Sequence, residues 1–372
     1  MKIAKYFALL CAATVGFVAC TPTEKEEVAP NVSGNITLTA DKTEIELGDE
    51  VNFSATMKNA ETGEVTDVTA FVTLYDSNLD TVANPFKPEV SGIYNVMASY
   101  GADSSNIVTI TVMGTLPDLP KDPDPANLAF NHRGLFIDNT GMGCGYCPSV
   151  VDVFEALKNT ETHKHYNEVQ VHGGSYARGG DPAFSTAAEQ VDKFYGPSGY
   201  PDVRLNFHGG KIGNRSTTAF TNALMSYIKE DGADAGISIA VAGDPTFIYC
   251  SAQVKAKVAQ EYKAVAWLLE SGIYSPGQAG ATKDYHKIYN YALRNISGEY
   301  SKNNISGESI GVLAEGETKN LAYALPITST KWNWEKMGVL VIVSAKNATG
   351  QWEVANSAYC DLNESKTYEY VE

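Results

Sequence analysis

Cys144-Gly145-Tyr146-Cys147-Pro148 constrains this chain more than any other stretch. The two cysteines separate an apolar run, Gly134 to Asp138, from Ser149 to Leu157, where Val150, Val151, Phe154 and Leu157 share one helical face. The pattern predicts a strand, a turn and a helix that begins at the cysteines. A helix N-terminus carries unpaired N–H groups and partial positive charge, so a thiolate there is stabilised. Thiolate is the attacking species in disulfide exchange, and a second cysteine one turn along can close the ring.

The start of the chain reads as a targeting segment. Lys2 and Lys5 precede an apolar run from Tyr6 to Val18, too short to span a membrane convincingly. Phe17-Val18-Ala19-Cys20 reads as a lipobox, with cleavage before Cys20 and acylation of its thiol. The polar, acidic run Thr21 to Glu27 is then a solvated tether. A net charge of −16 argues against nucleic acid or anionic lipid as a ligand. With 372 residues the chain is too long for one typical core. Of six cysteines, Cys11 leaves with the signal and Cys20 is lipidated, which leaves Cys144, Cys147, Cys250 and Cys360 in an oxidising compartment.

Residues 33–114 alternate apolar and polar positions in short runs with turn signals between them, the pattern of an immunoglobulin-like sandwich. Tyr94 sits where such sandwiches place a tyrosine corner. Pro117, Pro120, Pro123 and Pro125 make residues 115–128 an extended linker. Between 129 and 232 strands and helices alternate, which implies an α/β sheet. Residues 233–372 read as all-β. Ala264 to Leu269 and Val339 to Val343 are continuous apolar runs suited to buried central strands. The polar aromatics from Tyr285 to Tyr291 fall in a connection, and ordinary loop packing is favoured over a crossing near the cysteines.

Strand, CxxC, helix, strand, then Tyr200-Pro201 entering another strand resembles the order of the thioredoxin fold. More narrowly, Asp138, Thr140-Gly141, Cys144-Gly145, Cys147-Pro148 and the later Ser198-Gly199-Tyr200-Pro201 resemble the outer-membrane-protein-28-related lipoproteins. The likeness runs over roughly residues 129 to 360. Taken with the segments read above, it gives a multidomain α+β chain. A signal peptide (1–19) and acidic tether (20–32) precede an N-terminal immunoglobulin-like β-sandwich (33–114) and a linker (115–128). A central thioredoxin-like α/β domain (129–232) and a C-terminal β-sandwich (233–372) follow. It also implies a cis bond at Tyr200-Pro201, packed against the cysteine pair. Gly143 and Asn139 depart from the patterns, and Gly173 to Pro182 is a glycine-rich insertion.

Three readings of Cys144 and Cys147 follow. They are a redox-active dithiol, a disulfide that staples strand to helix, or half of a metal site. Metal is disfavoured, because Cys250 and Cys360 are no close pair and His163, His165 and His172 match no zinc spacing. Helix-start placement, Asp138 and Pro201 together favour redox chemistry. On the resemblance, Cys144 is the nucleophile, Cys147 resolves and Asp138 relays a proton. Gly145, Tyr146, Tyr200 and Pro201 shape a groove for a protein dithiol or disulfide substrate. Cys250 and Cys360 form either a structural disulfide or two buried thiols. The chain is expected to be an outer-membrane lipoprotein, lipid-anchored and without a cofactor. It is a thiol–disulfide oxidoreductase on one reading and a non-catalytic surface or structural protein on the other. Oligomeric state is not legible.

Overall fold

The computed structural model describes residues 30, 34–298 and 305–371. The signal segment, Cys20 and the tether apart from Pro30 lie outside them.

The main body begins with β1 (Gly134–Thr140), whose residues are all buried, as a strand covered on both faces requires. Helix α1 (Pro148–Leu157) follows, then β2 (Tyr166–His172), α2 (Thr186–Tyr195), β3 (Asp202–Leu205) and α3 (Thr217–Met225). Pro148 opens α1, where its missing N–H forfeits no bond. Val150, Val153, Phe154 and Leu157 point inward, while Val151 is only half-buried. Helix α2 is capped by the Ser185 hydroxyl at one end and by left-handed Gly196 at the other. The remaining strands are β4 (Ala235–Gly243), β5 (Phe247–Ala256), β6 (Gln260–Glu270), β7 (Ala292–Ile296), β8 (Glu308–Leu313), β9 (Thr318–Pro326), β10 (Met337–Lys346), β11 (Trp352–Asp361) and β12 (Ser365–Lys366).

These strands correct the expected fold class, a central thioredoxin-like α/β domain. No central α/β domain closes on itself. The chain is 43% strand and 14% helix, and β1, β2 and β3 are one end of an eight-stranded sheet ordered β3-β1-β2-β7-β6-β10-β11, with β8 also on β6. One core holds Leu135, Ile137 and Val169 together with Trp267, Leu293, Leu340 and Ile342, and α2 packs into it. On the opposite face, Ala266, Leu268, Val339 and Val341 pack against the four-stranded sheet β9-β5-β4-β12. The physical reason lies in β6 and β10. Their alternate residues feed two different cores, so each needs cover on both sides, and the strands from 129–232 help supply one of them. Phe136, Tyr166 and Val203 face a smaller core under α1 and α3.

Ahead of this body, residues 34–113 form two further sheets, one of three strands and one of six, around Leu38, Phe53, Met57, Val96 and Ile110. The Tyr94 hydroxyl donates to the Val90 carbonyl at 2.7 Å. The proline-bearing connection is docked rather than free. Asp122 meets buried Lys255 at 3.1 Å and accepts from the Tyr370 hydroxyl at 2.7 Å, and Lys255 Nζ also donates to the Pro125 carbonyl at 2.6 Å.

Candidate functional site

The turn after β1 is tight because its glycines are crowded. A Cβ on Gly141 would sit 2.7 Å from the Tyr176 carbonyl carbon, and the Gly143 N–H donates to the Tyr176 carbonyl at 2.9 Å. Cys144 and Cys147 are joined by a disulfide with S–S 2.06 Å. Both are 3% exposed, whereas Tyr146 between them is 73% exposed under the Arg215 guanidinium.

What covers the sulfurs' neighbourhood comes from far along the chain. Between β6 and β7 a strap runs from Ile273 to Tyr289, closed by pairing of Ile273–Tyr274 with Ile288–Tyr289. Its Ala279 N–H donates to the Met142 carbonyl at 2.8 Å, and Gln278 Nε2 donates to the Cys144 carbonyl at 3.1 Å. The Tyr289 hydroxyl fixes the other end of that amide at 2.7 Å. Gly280 is left-handed, with φ +70°, and a Cβ there would lie 2.1 Å from the Gly145 carbonyl oxygen. Only glycine allows so close an approach.

A second anchor is Asp152 on α1. It accepts from Lys283 Nζ, the Tyr285 hydroxyl and His286 Nε2 at 2.8, 2.6 and 2.9 Å. His286 Nδ1 accepts from the Thr282 N–H, which places the ring proton on Nε2. Burial works against ionisation of Asp152, but the bonds from Lys283, Tyr285 and His286 outweigh it and hold the carboxyl far below its usual range. The aromatics read as ordinary loop packing are therefore the ones that pin the strap beside the cysteines. A groove of about 600 Å³ remains open alongside, lined by Tyr146, Ser149, Asp152, Arg215, Thr282 and His286.

Asp138 is 1% exposed, and its Oδ1 has no partner among the described residues. Burial, reinforced by Glu168 and Asp202, pushes its carboxyl well above the usual range. The Tyr200-Pro201 bond is cis. Tyr200 donates to Asp192 at 2.6 Å and stacks edge-on against Tyr176, the residue that braces Gly143. His172 pairs with Asp181 at 2.8 Å, and Asp181 also accepts the Met142 N–H.

Cys250 and Cys360 are not bridged. Both are free thiols in the core between the two body sheets. Burial pushes the Cys360 thiol up to about 11 and the Cys250 thiol higher still. Among the described residues no three metal-ligating side chains come together. Sequence reasoning missed Gln278, Asp152, Lys283 and Asp181. The available signal was Gly277-Gln278-Ala279-Gly280, two glycines that permit close backbone approach, just before the aromatic run.

No curated protein matches the sequence. Among solved structures, HBP35 of Porphyromonas gingivalis aligns with a TM-score of 0.50 at 15% identity, over 64% of this chain and 77% of that one, a likeness of fold alone. Surface layer protein SbsC, domains 4–9, aligns over 89% of this chain and 51% of its own at 10% identity, and its TM-score of 0.19 carries no argument. One family model matches from residue 188, inside α2, to residue 365, at the start of β12, a segment that includes neither Cys144 nor Cys147. That family is described as Outer membrane protein Omp28, and the match places this protein at the outer membrane.

Proposed function

We propose that this outer-membrane protein is a non-catalytic binding or structural protein in which the Cys144–Cys147 bridge is a staple. The observation that supports this reading is burial. Both cysteines are 3% exposed, with Gln278 and Gly280 of the strap against Cys144 and Gly145. Disulfide exchange needs an attacking thiolate to approach along the S–S axis, and a covered pair resists that approach. Acylation of Cys20 as the membrane anchor belongs to the same proposal, and an acyl mass on the N-terminal peptide tests it.

The competing reading is a dithiol that exchanges with extracytoplasmic proteins. Asp138 favours it, since a buried carboxyl without a partner on the strand leading to the pair suits proton relay. Equilibration of the full chain with glutathione buffers decides between them. The staple predicts a potential below roughly −300 mV. A potential above roughly −280 mV, with insulin reduction that Cys144→Ser abolishes, would replace it with the oxidoreductase.

A further inference from the structure

Between Gly174 and Arg215 the chain carries five lysines and arginines and four acids, and the fold sorts them by depth. Asp181, Glu189, Asp192 and Asp202 are all buried. Arg178, Lys193, Lys211 and Arg215 are exposed, and Arg204 is half-buried. Solvent therefore meets cations on this stretch, in a chain whose net charge is −16.

Two of the acids are each held by two cations. Glu189 on α2 pairs with Arg178 and, at 3.2 Å, with Lys193. Asp202, which opens β3, pairs with Arg204 Nε at 2.7 Å and with Lys211 Nζ at 3.8 Å. One cation balances a buried carboxylate, so each group keeps one positive charge to spare. The other acids offset little of it. Asp192 accepts from the Tyr200 hydroxyl, and burial pushes its carboxyl up. Asp181 is turned inward to His172. Arg215 has no carboxylate partner among the described residues; it lies over the Tyr146 ring at 5.6 Å and donates to the Tyr146 carbonyl at 3.4 Å. Asp152, in the same groove as Tyr146, is matched by Lys283 and His286.

These groups adjoin. Arg204 and Lys211 pair across a β-bridge, and Lys211 Nζ donates to the Gly199 carbonyl at 3.3 Å. Tyr200 meets Tyr176 edge-on, two residues before Arg178. The rings are engaged as well, since Arg204 lies over Tyr195 at 5.2 Å and Arg215 over Tyr146. Nucleic-acid bases are held by stacking on open ring faces. This face offers charge and N–H donors instead, the chemistry that recognises carboxylates.

We propose that this face binds an acidic segment of a partner polypeptide. Arg178, Lys193, Lys211 and Arg215 make charge-assisted bonds to its Asp and Glu side chains. This supplies a partner for the binding reading above but uses no cysteine chemistry, so the glutathione equilibration and the experiment below fail independently.

Fluorescence anisotropy on the full chain in detergent at pH 7 tests this with labelled decaglutamate, decaglutamine and decalysine. Decaglutamate is expected to bind, and the other two at least tenfold more weakly. Raising salt from about 50 to about 300 mM should weaken decaglutamate at least tenfold. Lys193→Gln with Lys211→Gln leaves each buried acid one cation and should weaken binding at least fivefold. Arg215→Gln alone should weaken it about threefold and carries the test should the double variant fail to fold. Lys87→Gln with Lys346→Gln, away from the face, should leave binding unchanged. Absence of an anisotropy change at about 100 µM protein overturns the proposal, as does equal weakening by the Lys87 and Lys346 changes. Dextran sulfate that binds as tightly per charge as decaglutamate would overturn the polypeptide and assign the face to an acidic glycan.

Discussion

The body buries two pairs of cysteines to nearly the same depth and treats them in opposite ways. Cys144 and Cys147 sit at a strand–helix turn and are bridged. Cys250 and Cys360 lie on facing sheets inside a core of alanine, valine and isoleucine, and they stay as thiols. At the turn, cover comes from the strap, through the Gln278 amide on the Cys144 carbonyl, the Ala279 N–H on the Met142 carbonyl and the close approach of Gly280 to Gly145. In the sheet core, close packing alone suffices, and sulfur acts as a small hydrophobe. Burial of a cysteine thus says nothing about its chemistry until the covering atoms are named.

The sharpest way to break this contrast is Gly280→Val. A side chain there collides with the Gly145 carbonyl in a left-handed conformation, so the strap should lift at a cost of about 3 kcal/mol. Dithiothreitol should then reduce Cys144–Cys147 at least tenfold faster, read by quenched alkylation. An unchanged rate would show that the strap is not the cover. Next, Cys144→Ala with Cys147→Ala should lower stability by about 2 kcal/mol, the loop-closure value for so short a ring, measured by urea unfolding. In the other pair, Cys250→Ser should cost about 1–3 kcal/mol, because it leaves a hydroxyl in an apolar core, while Cys250→Ala should cost about 1 kcal/mol. Peptide mapping after alkylation should find Cys250 and Cys360 modified only in unfolded protein.

Asp138 gives a pH signature. Its carboxyl is raised in the folded state, so the folded protein holds a proton that the unfolded chain releases near pH 3.8. Stability should therefore be complete below that pH and fall as pH rises, by at most about 1.4 kcal/mol per unit. Asp138→Asn should flatten that slope in pH-dependent urea melts. A slope that survives the substitution would assign it elsewhere. The smallest effect belongs to Asp152. Its carboxyl is depressed, so its contribution exists above the ordinary carboxylate range and fades as pH falls through it. Being partly exposed, it should lose only about 0.5–1 kcal/mol on Asp152→Asn, seen as faster hydrogen exchange at Thr282 and His286.

Much of the local structure was legible. The strand before Cys144, the helix after it and the two apolar runs at Ala264 and Val339 all carry periodicity that short-range physics sets. The partition was not legible. Whether β2 ends a small sheet or continues into a large one turns on its pairing with β7, and Gln170 and Ala292 carry no pattern that announces it. Val151 was placed on the buried face because a helical wheel cannot tell which flank α3 and the sheet will cover. The strap's place beside the cysteines carries no sequence pattern, because its partners, the Cys144 and Met142 carbonyls and Asp152, lie more than a hundred residues away.

The shared sheet also dictates an order of assembly. The residue 34–113 sheets pair only within their own stretch and can close as soon as that stretch emerges. β1 and β2 wait for β7, β10 and β11, far later in the chain, before their hydrophobic face is covered. Contacts so distant in sequence slow folding and leave apolar strand edges open meanwhile. During export the front of this chain can be native while β1 and β2 still expose their apolar face.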